Sequence, residues 1–164
     1  VINLRYFSNE SSDGLREAFI QCAAIETFWL WQKYKKDKNG GDAEEKLNSG
    51  IIPEEFKRQM FYTFGDYRDL CLDKNIGSDV GNVNQKINSV LKKIGQSDED
   101  KRKNWWKTIE NDVWEGMLCA LSYDTKKQTM DSNVREKLMD PENSNTYKTV
   151  KFSGNTTSLE NFAE

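Results

Sequence analysis

Three cysteines, one isolated carboxylate, two clusters of cations and five tryptophans are the residues of this chain whose types could do chemistry. Its 164 residues contain no histidine. That removes Ser-His-Asp and Cys-His nucleophile arrangements within the chain, and every zinc site that needs an imidazole. Acid–base chemistry would have to come from a retuned carboxylate, Lys, Tyr or Cys. Glu26 is the only charged residue between Ala18 and Trp31. As a catalytic acid it would need a raised pKa and a partner in a cleft. A structural hydrogen bond or an ion pair with Arg58 or Arg68 is the simpler expectation. Cys22, Cys71 and Cys119 form no CxxC pair, so a zinc or redox motif is unsupported. They read either as three buried thiols or as one interhelical disulfide with a thiol left over. Phosphate-cradling glycine loops, EF-hand loops and GxSxG elbows are absent. No catalytic, cofactor or metal set emerges, and the chain is expected not to be an enzyme.

The remaining groups suit binding. Lys33, Lys35, Lys36 and Lys38 form one basic cluster, and Lys101, Arg102, Lys103 and Lys107 form another. Either would attract an anionic glycan or phosphate, and the second is the candidate patch for a sulfated glycosaminoglycan. Each also suits an ordinary solvated helix end or face. A net charge of −3 argues against general nucleic-acid binding. Trp105, Trp106 and Trp114 would make a sugar-stacking platform if exposed, but their helical spacing reads as core. Trp29 and Trp31 cannot face the same way, because residues two apart on a helix point about 200° apart, so one of them is expected at a boundary. Two sequons, Asn9-Glu10-Ser11 and Asn155-Thr156-Thr157, lie in polar segments of an Asn-rich chain.

The elements that must position these residues are helical. A first helix is predicted from Ser12 or Asp13 to about Lys38. It is apolar on most sides, as a centrally buried helix is, and Asn39-Gly40-Gly41 stops it. Residues 40–50 read as a polar loop. A second helix starts at Pro53 and ends near Asp73, with Phe56, Met60, Phe64, Tyr67 and Cys71 on one face. A third carries Val80, Val83, Ile87, Val90, Leu91 and Ile94, with Gly95 as its cap. A fourth, capped by Ser97, carries Trp105, Trp106, Ile109, Val113, Trp114, Met117, Leu118 and Leu121. Residues 124–131 read as a polar loop, Ser132–Met139 as a short helix ending before Pro141, and Ser158 as the cap of a further helix. The fold class is therefore all-α, a bundle of four main helices with long polar loops. No stretch approaches the length of a transmembrane span. The chain opens on Val1-Ile2-Asn3 without an initiating Met, and reads as a piece of something larger.

Three blocks resemble a known family. Ala18 to Trp31 (AFIQCAAIETFWLW) resembles a hallmark helix of Duffy-binding-like domains, and so does Ile52 to Cys71 (IPEEFKRQMFYTFGDYRDLC). The third block is Arg102-Lys103-Asn104-Trp105-Trp106 followed by Val113 to Tyr123 (VWEGMLCALSY). They occur in the family's order. Ser158 to Glu164 resembles the entry to the family's next subdomain. The resemblance is to the adhesin domains of the Plasmodium erythrocyte membrane protein 1 group, most of all the beta class. It implies a helical-bundle middle subdomain over residues 1–157 and the truncated start of the next over 158–164. It also implies an exported protein on the outer face of the infected erythrocyte, binding a host cell-surface receptor such as intercellular adhesion molecule. The beta-class motif for that receptor does not occur here, so no binding residue carries over. An oxidising location makes a disulfide the expectation, Cys22–Cys119 first, with Cys71 in the alternative pairings. It also argues against use of the sequons, since the parasite makes little N-linked glycan.

Overall fold

The computed structural model describes residues 8–38, 41–74, 81–152 and 157–159. In chain order they form α1 (Ser12–Asp37), α2 (Ala43–Asn48), α3 (Glu54–Cys71), α4 (Gly81–Lys93), α5 (Glu99–Leu121), a hairpin β1–β2 (Tyr123–Asp124, Thr129–Met130) and α6 (Ser132–Met139). A 3-10 turn at Pro141–Asn143 and a strand pair β3–β4 (Lys151–Phe152, Thr157–Ser158) complete the described residues. The architecture is an all-α bundle with two minor antiparallel strand pairs.

The helix boundaries follow from local chemistry. Ser11, one residue ahead of the predicted cap, accepts the Gly14 N–H on its hydroxyl at 3.0 Å. Asp98 rather than Ser97 caps α5, taking the Lys101 N–H at 2.9 Å. A carboxylate there also opposes the positive end of the helix. Pro53 precedes the first residue of α3, and Gly95 ends the turn after α4 at φ +76, a left-handed conformation that favours glycine. Residues 43–48 are helical where a loop was expected. Ala43 and Leu47, four apart, put two apolar side chains on one face, and both are buried. Residues 124–131 fold into a hairpin, with Tyr123 paired to Met130 and Asp124 to Thr129. Val80 and the helix expected after Ser158 lie wholly or largely outside the described residues. Thr157 and Ser158 pair with β3, and Leu159 is buried in the same core as the bundle.

That core is aromatic. Phe19 of α1 meets the rings of Tyr67, Trp105 and Trp106 edge-on at 6.1, 5.8 and 6.3 Å. Phe64 packs on Trp106 at 5.3 Å and on Trp114 at 6.1 Å. Such edge-to-face contacts add about 0.5–1.5 kcal/mol each to the burial of the rings. Trp105 Nε1 donates to Ser12 Oγ at 3.0 Å, and Trp114 Nε1 to the Asn145 carbonyl at 2.7 Å. The tryptophans of α5 are therefore core and not a sugar platform. Glu10 joins the start of the described chain to α4 through Lys86 and, at 2.8 Å, Lys93.

A candidate protein-docking groove

The sequence-derived basic patch does not survive as a unit. Arg102 is 8% exposed. Its guanidinium donates to the Ser97 carbonyl (2.8 Å), the Cys71 carbonyl (3.2 Å) and Asn88 Oδ1 (2.8 Å). It ties the end of α3 and the body of α4 to the start of α5, and is not presented to a ligand. Lys101 pairs with Asp98 at 3.7 Å and Lys103 with Glu99 at 3.4 Å, both exposed. Lys107 is exposed on the same helix. In the other cluster Lys38 pairs with Glu55 at 2.9 Å, and Lys35 lies 3.9 Å from Glu44.

Glu26 is half-buried between α1 and α3 and accepts a 2.8 Å hydrogen bond from Tyr67 Oη. Its partner is a phenol and not Arg58 or Arg68. Burial, then the Glu26 charge, raises the Tyr67 pKa far above the ordinary phenol value. Burial, with Glu26 and Asp69 nearby, also raises the Asp66 pKa. A proton-donating Tyr67 and an accepting Glu26 brace two helices.

The structure contains no disulfide among the described residues. Cys22 of α1 is buried. Cys71 is fully buried, and burial pushes its thiol pKa up to about 12. Cys119 is half-exposed in the wall of a groove on another side of α1. The structure shows no bond between Cys22 and Cys119, and that bridge stays what the resemblance implies.

That groove is the most distinctive surface feature. α1 is apolar on nearly every side, but α3, α4 and α5 leave one of them uncovered. The i, i+4 row Glu17, Gln21, Ile25, Trp29 and Lys33 is left in solvent along its whole length. Ile25 is 44% and Trp29 64% exposed, while Trp31, two residues on, is buried. One of the two tryptophans does sit at a boundary, as their spacing requires. α1 and α5 run parallel, with Arg16 bonded to Asp112 at 2.8 Å and Phe28 edge-on to Tyr123 at 5.5 Å. At Gly116 they approach so closely that an added Cβ would lie 2.8 Å from Ile20 Cγ2. Beside this contact an open groove of about 640 Å³ is floored by small residues (Ala24, Gly116, Ala120) and walled by Ile25, Trp29, Tyr123 and Met130. Phe28 braces Trp29 edge-on at 5.0 Å.

A Trp side chain offers roughly 250 Å², so 64% exposure leaves about 160 Å² to cover, worth up to about 4 kcal/mol. A rigid aromatic of this kind, on a braced helix beside a concave apolar floor, has the character of an interface anchor. The groove's far wall was not legible in the sequence. Met130 reaches it only because the residues after Tyr123 turn back as a hairpin. The Tyr123–Met130 pair flanking six largely polar residues is the one signal that points there.

A second hollow, lined by Trp31, Lys35, Glu44, Asn48, Asp124, Lys126 and Asp131, is polar. Its carboxylates are engaged locally. Asp124 accepts the Lys126 and Lys127 N–H groups, which hold its pKa low, and Asp131 caps α6. Among the described residues no helix is long and apolar enough to cross a membrane.

Comparison with curated proteins and with solved structures finds no match. The family model described as Duffy binding domain matches residues 1–158. The chain belongs to the Duffy binding domain family, whose members are extracellular adhesins that bind receptors on host cells.

Proposed function

We propose that this chain is a cytoadherence module of the Plasmodium erythrocyte membrane protein 1 type, of the beta class, displayed on infected erythrocytes. Its bundle serves as a rigid frame and the α1–α5 groove as the contact surface for an endothelial receptor protein such as intercellular adhesion molecule. The observation that carries the site is the exposed, braced Trp29 beside an apolar floor. The blocks Ala18–Trp31, Ile52–Cys71 and Val113–Tyr123 support the class. The reading involves no catalytic step. A sulfated-glycan reading through Lys101, Lys103 and Lys107 is disfavoured by the burial of Arg102 and by the acidic partners of Lys101 and Lys103. A pure scaffold reading, in which another part of a longer chain covers the groove, is the competitor.

The chain is tested by binding to endothelial cells after two treatments. Protease shaving of surface proteins is expected to abolish binding, and heparinase to leave it unchanged. Heparinase-sensitive binding that falls steeply with salt would establish the glycan reading instead. Failure to bind any host cell would leave the scaffold.

A further inference from the structure

We propose that the α1–α5 groove is built to seat one amphipathic α-helix of a partner protein, with basic residues at the helix end near Glu17 and acidic residues at the end near Lys33. The proposal deepens the reading of this groove as the contact surface and rests on it.

The shape argument comes first. The floor is Ala24, Gly116 and Ala120, side chains short enough for a third backbone to approach two parallel helices closely. The walls stand on opposite sides, Ile25 and Trp29 from α1 and Tyr123 and Met130 from the hairpin. A trough between two helices with raised apolar sides accepts the i, i+3, i+4, i+7 stripe of a helix, which presents an apolar face while satisfying its own backbone. An extended strand would find only the two-residue outer edges of the β1–β2 pair, too short to hold it by a ladder of backbone hydrogen bonds.

Charge sets the direction of the seated helix. The exposed row of α1 runs from Asp13 and Glu17 through Ile25 to Lys33 and Asp37. Glu17 and Lys33 are 16 residues apart, about 24 Å along the axis, or four to five turns of a seated helix. At the Glu17 end Asp13 is also exposed. At the Lys33 end stand exposed Lys36 and, from the β1–β2 turn, exposed Lys126, which lines one hollow with Trp31 and Lys35; Asp37 is the one exposed acid of α1 there. The groove is therefore acidic at one mouth, apolar along its length and net basic at the other, where the lysines outnumber Asp37. A ligand helix of opposite polarity meets favourable charge at both ends, and one of uniform sign meets repulsion at one end.

The test uses the whole chain and Trp-free 18-residue peptides. One is an amphipathic Leu-striped helix with two Lys at one end and two Glu at the other. A second has the same composition, with one Lys at each end and both Glu central on the polar face. A third is the first with two central prolines. Trp29 is the only exposed tryptophan of the five, so its emission and quenching report the groove directly. The polar helix is expected to bind about five-fold tighter than the Lys-ended one, and the proline peptide at least ten-fold weaker. In the K33E/K36E variant, which alters two exposed lysines, the preference should invert. Equal binding of the proline peptide, or an unchanged preference in K33E/K36E, would overturn the proposal. So would sedimentation showing that the chain pairs with itself through Trp29. If no peptide binds while adhesion to cells still depends on Trp29, the helix inference fails and the receptor reading stands.

Discussion

Arg102 separates a structural from a ligand-binding role for the basic cluster on α5, and replacing it with alanine has a cost that can be worked out. Three acceptors lose their donor: the Ser97 and Cys71 carbonyls and Asn88 Oδ1. The Cys71 bond is buried, so that carbonyl is left without water or protein, at about 1–3 kcal/mol. The other two are part-buried, and water replaces the guanidinium there at about 0.5–1 kcal/mol each. The lost packing of the arginine stem adds to this. The sum is about 3 kcal/mol, with R102K recovering part of it through a single donor. For a chain of this length that is a fall of about 6–12 °C in Tm. Urea unfolding followed by far-UV circular dichroism should show a lower midpoint at unchanged slope. Heparin retention of folded R102A should change by no more than one exposed charge would cause. A stability loss below about 1 kcal/mol, together with collapse of heparin binding, would refute the assignment and return Arg102 to a glycan site.

Three more outcomes follow from particular contacts. Lys86 and Lys93 hold the Glu10 carboxylate at about 2, below its ordinary 4.5. Its contribution is therefore complete above about pH 4.5 and is lost as pH falls toward 2, and E10Q should flatten that part of the acid-unfolding curve; identical curves would remove the tie. Native alkylation at pH 8 should modify Cys119 first and leave Cys71, whose thiol lies near 12, untouched until unfolding; a peptide map linking Cys22 to Cys119 would instead establish the bridge that the family resemblance implies. G116V should cost about 1–3 kcal/mol, because even its Cβ lies 2.8 Å from Ile20, and a variant as stable as the parent would mean that the two helices are not in close contact there.

Much of the frame was legible because burial imposes a period. The stripes of α3 and α5 named their own core residues, and the short helix Ser132–Met139 was readable with its stop before Pro141; its cap, Asp131, came only with the structure. The caps of α1 and α5 shifted by one residue because two neighbouring side chains could serve equally well, and only the backbone geometry chooses. α2 escaped because six residues with one apolar pair carry no measurable period. The site was harder. Lysines adjacent in sequence looked like a patch, but a helix places Arg102 about 100° from its neighbours, which turns it inward. Conversely, the exposed face of α1 was hidden by its uniform apolarity. A helix greasy all round predicts burial on every side, and only the packing shows which side is left uncovered.

In the proposed function Trp29 anchors a receptor on the open face of α1. The most direct measurement compares adhesion of the parent chain, W29A and Y62A to endothelial cells by flow cytometry, Tyr62 being an exposed aromatic away from the groove. W29A should bind at least ~30-fold more weakly, corresponding to a loss of about 2 kcal/mol, with its melting temperature unchanged and Y62A binding like the parent. Adhesion by W29A equal to that of the parent would contradict the claim.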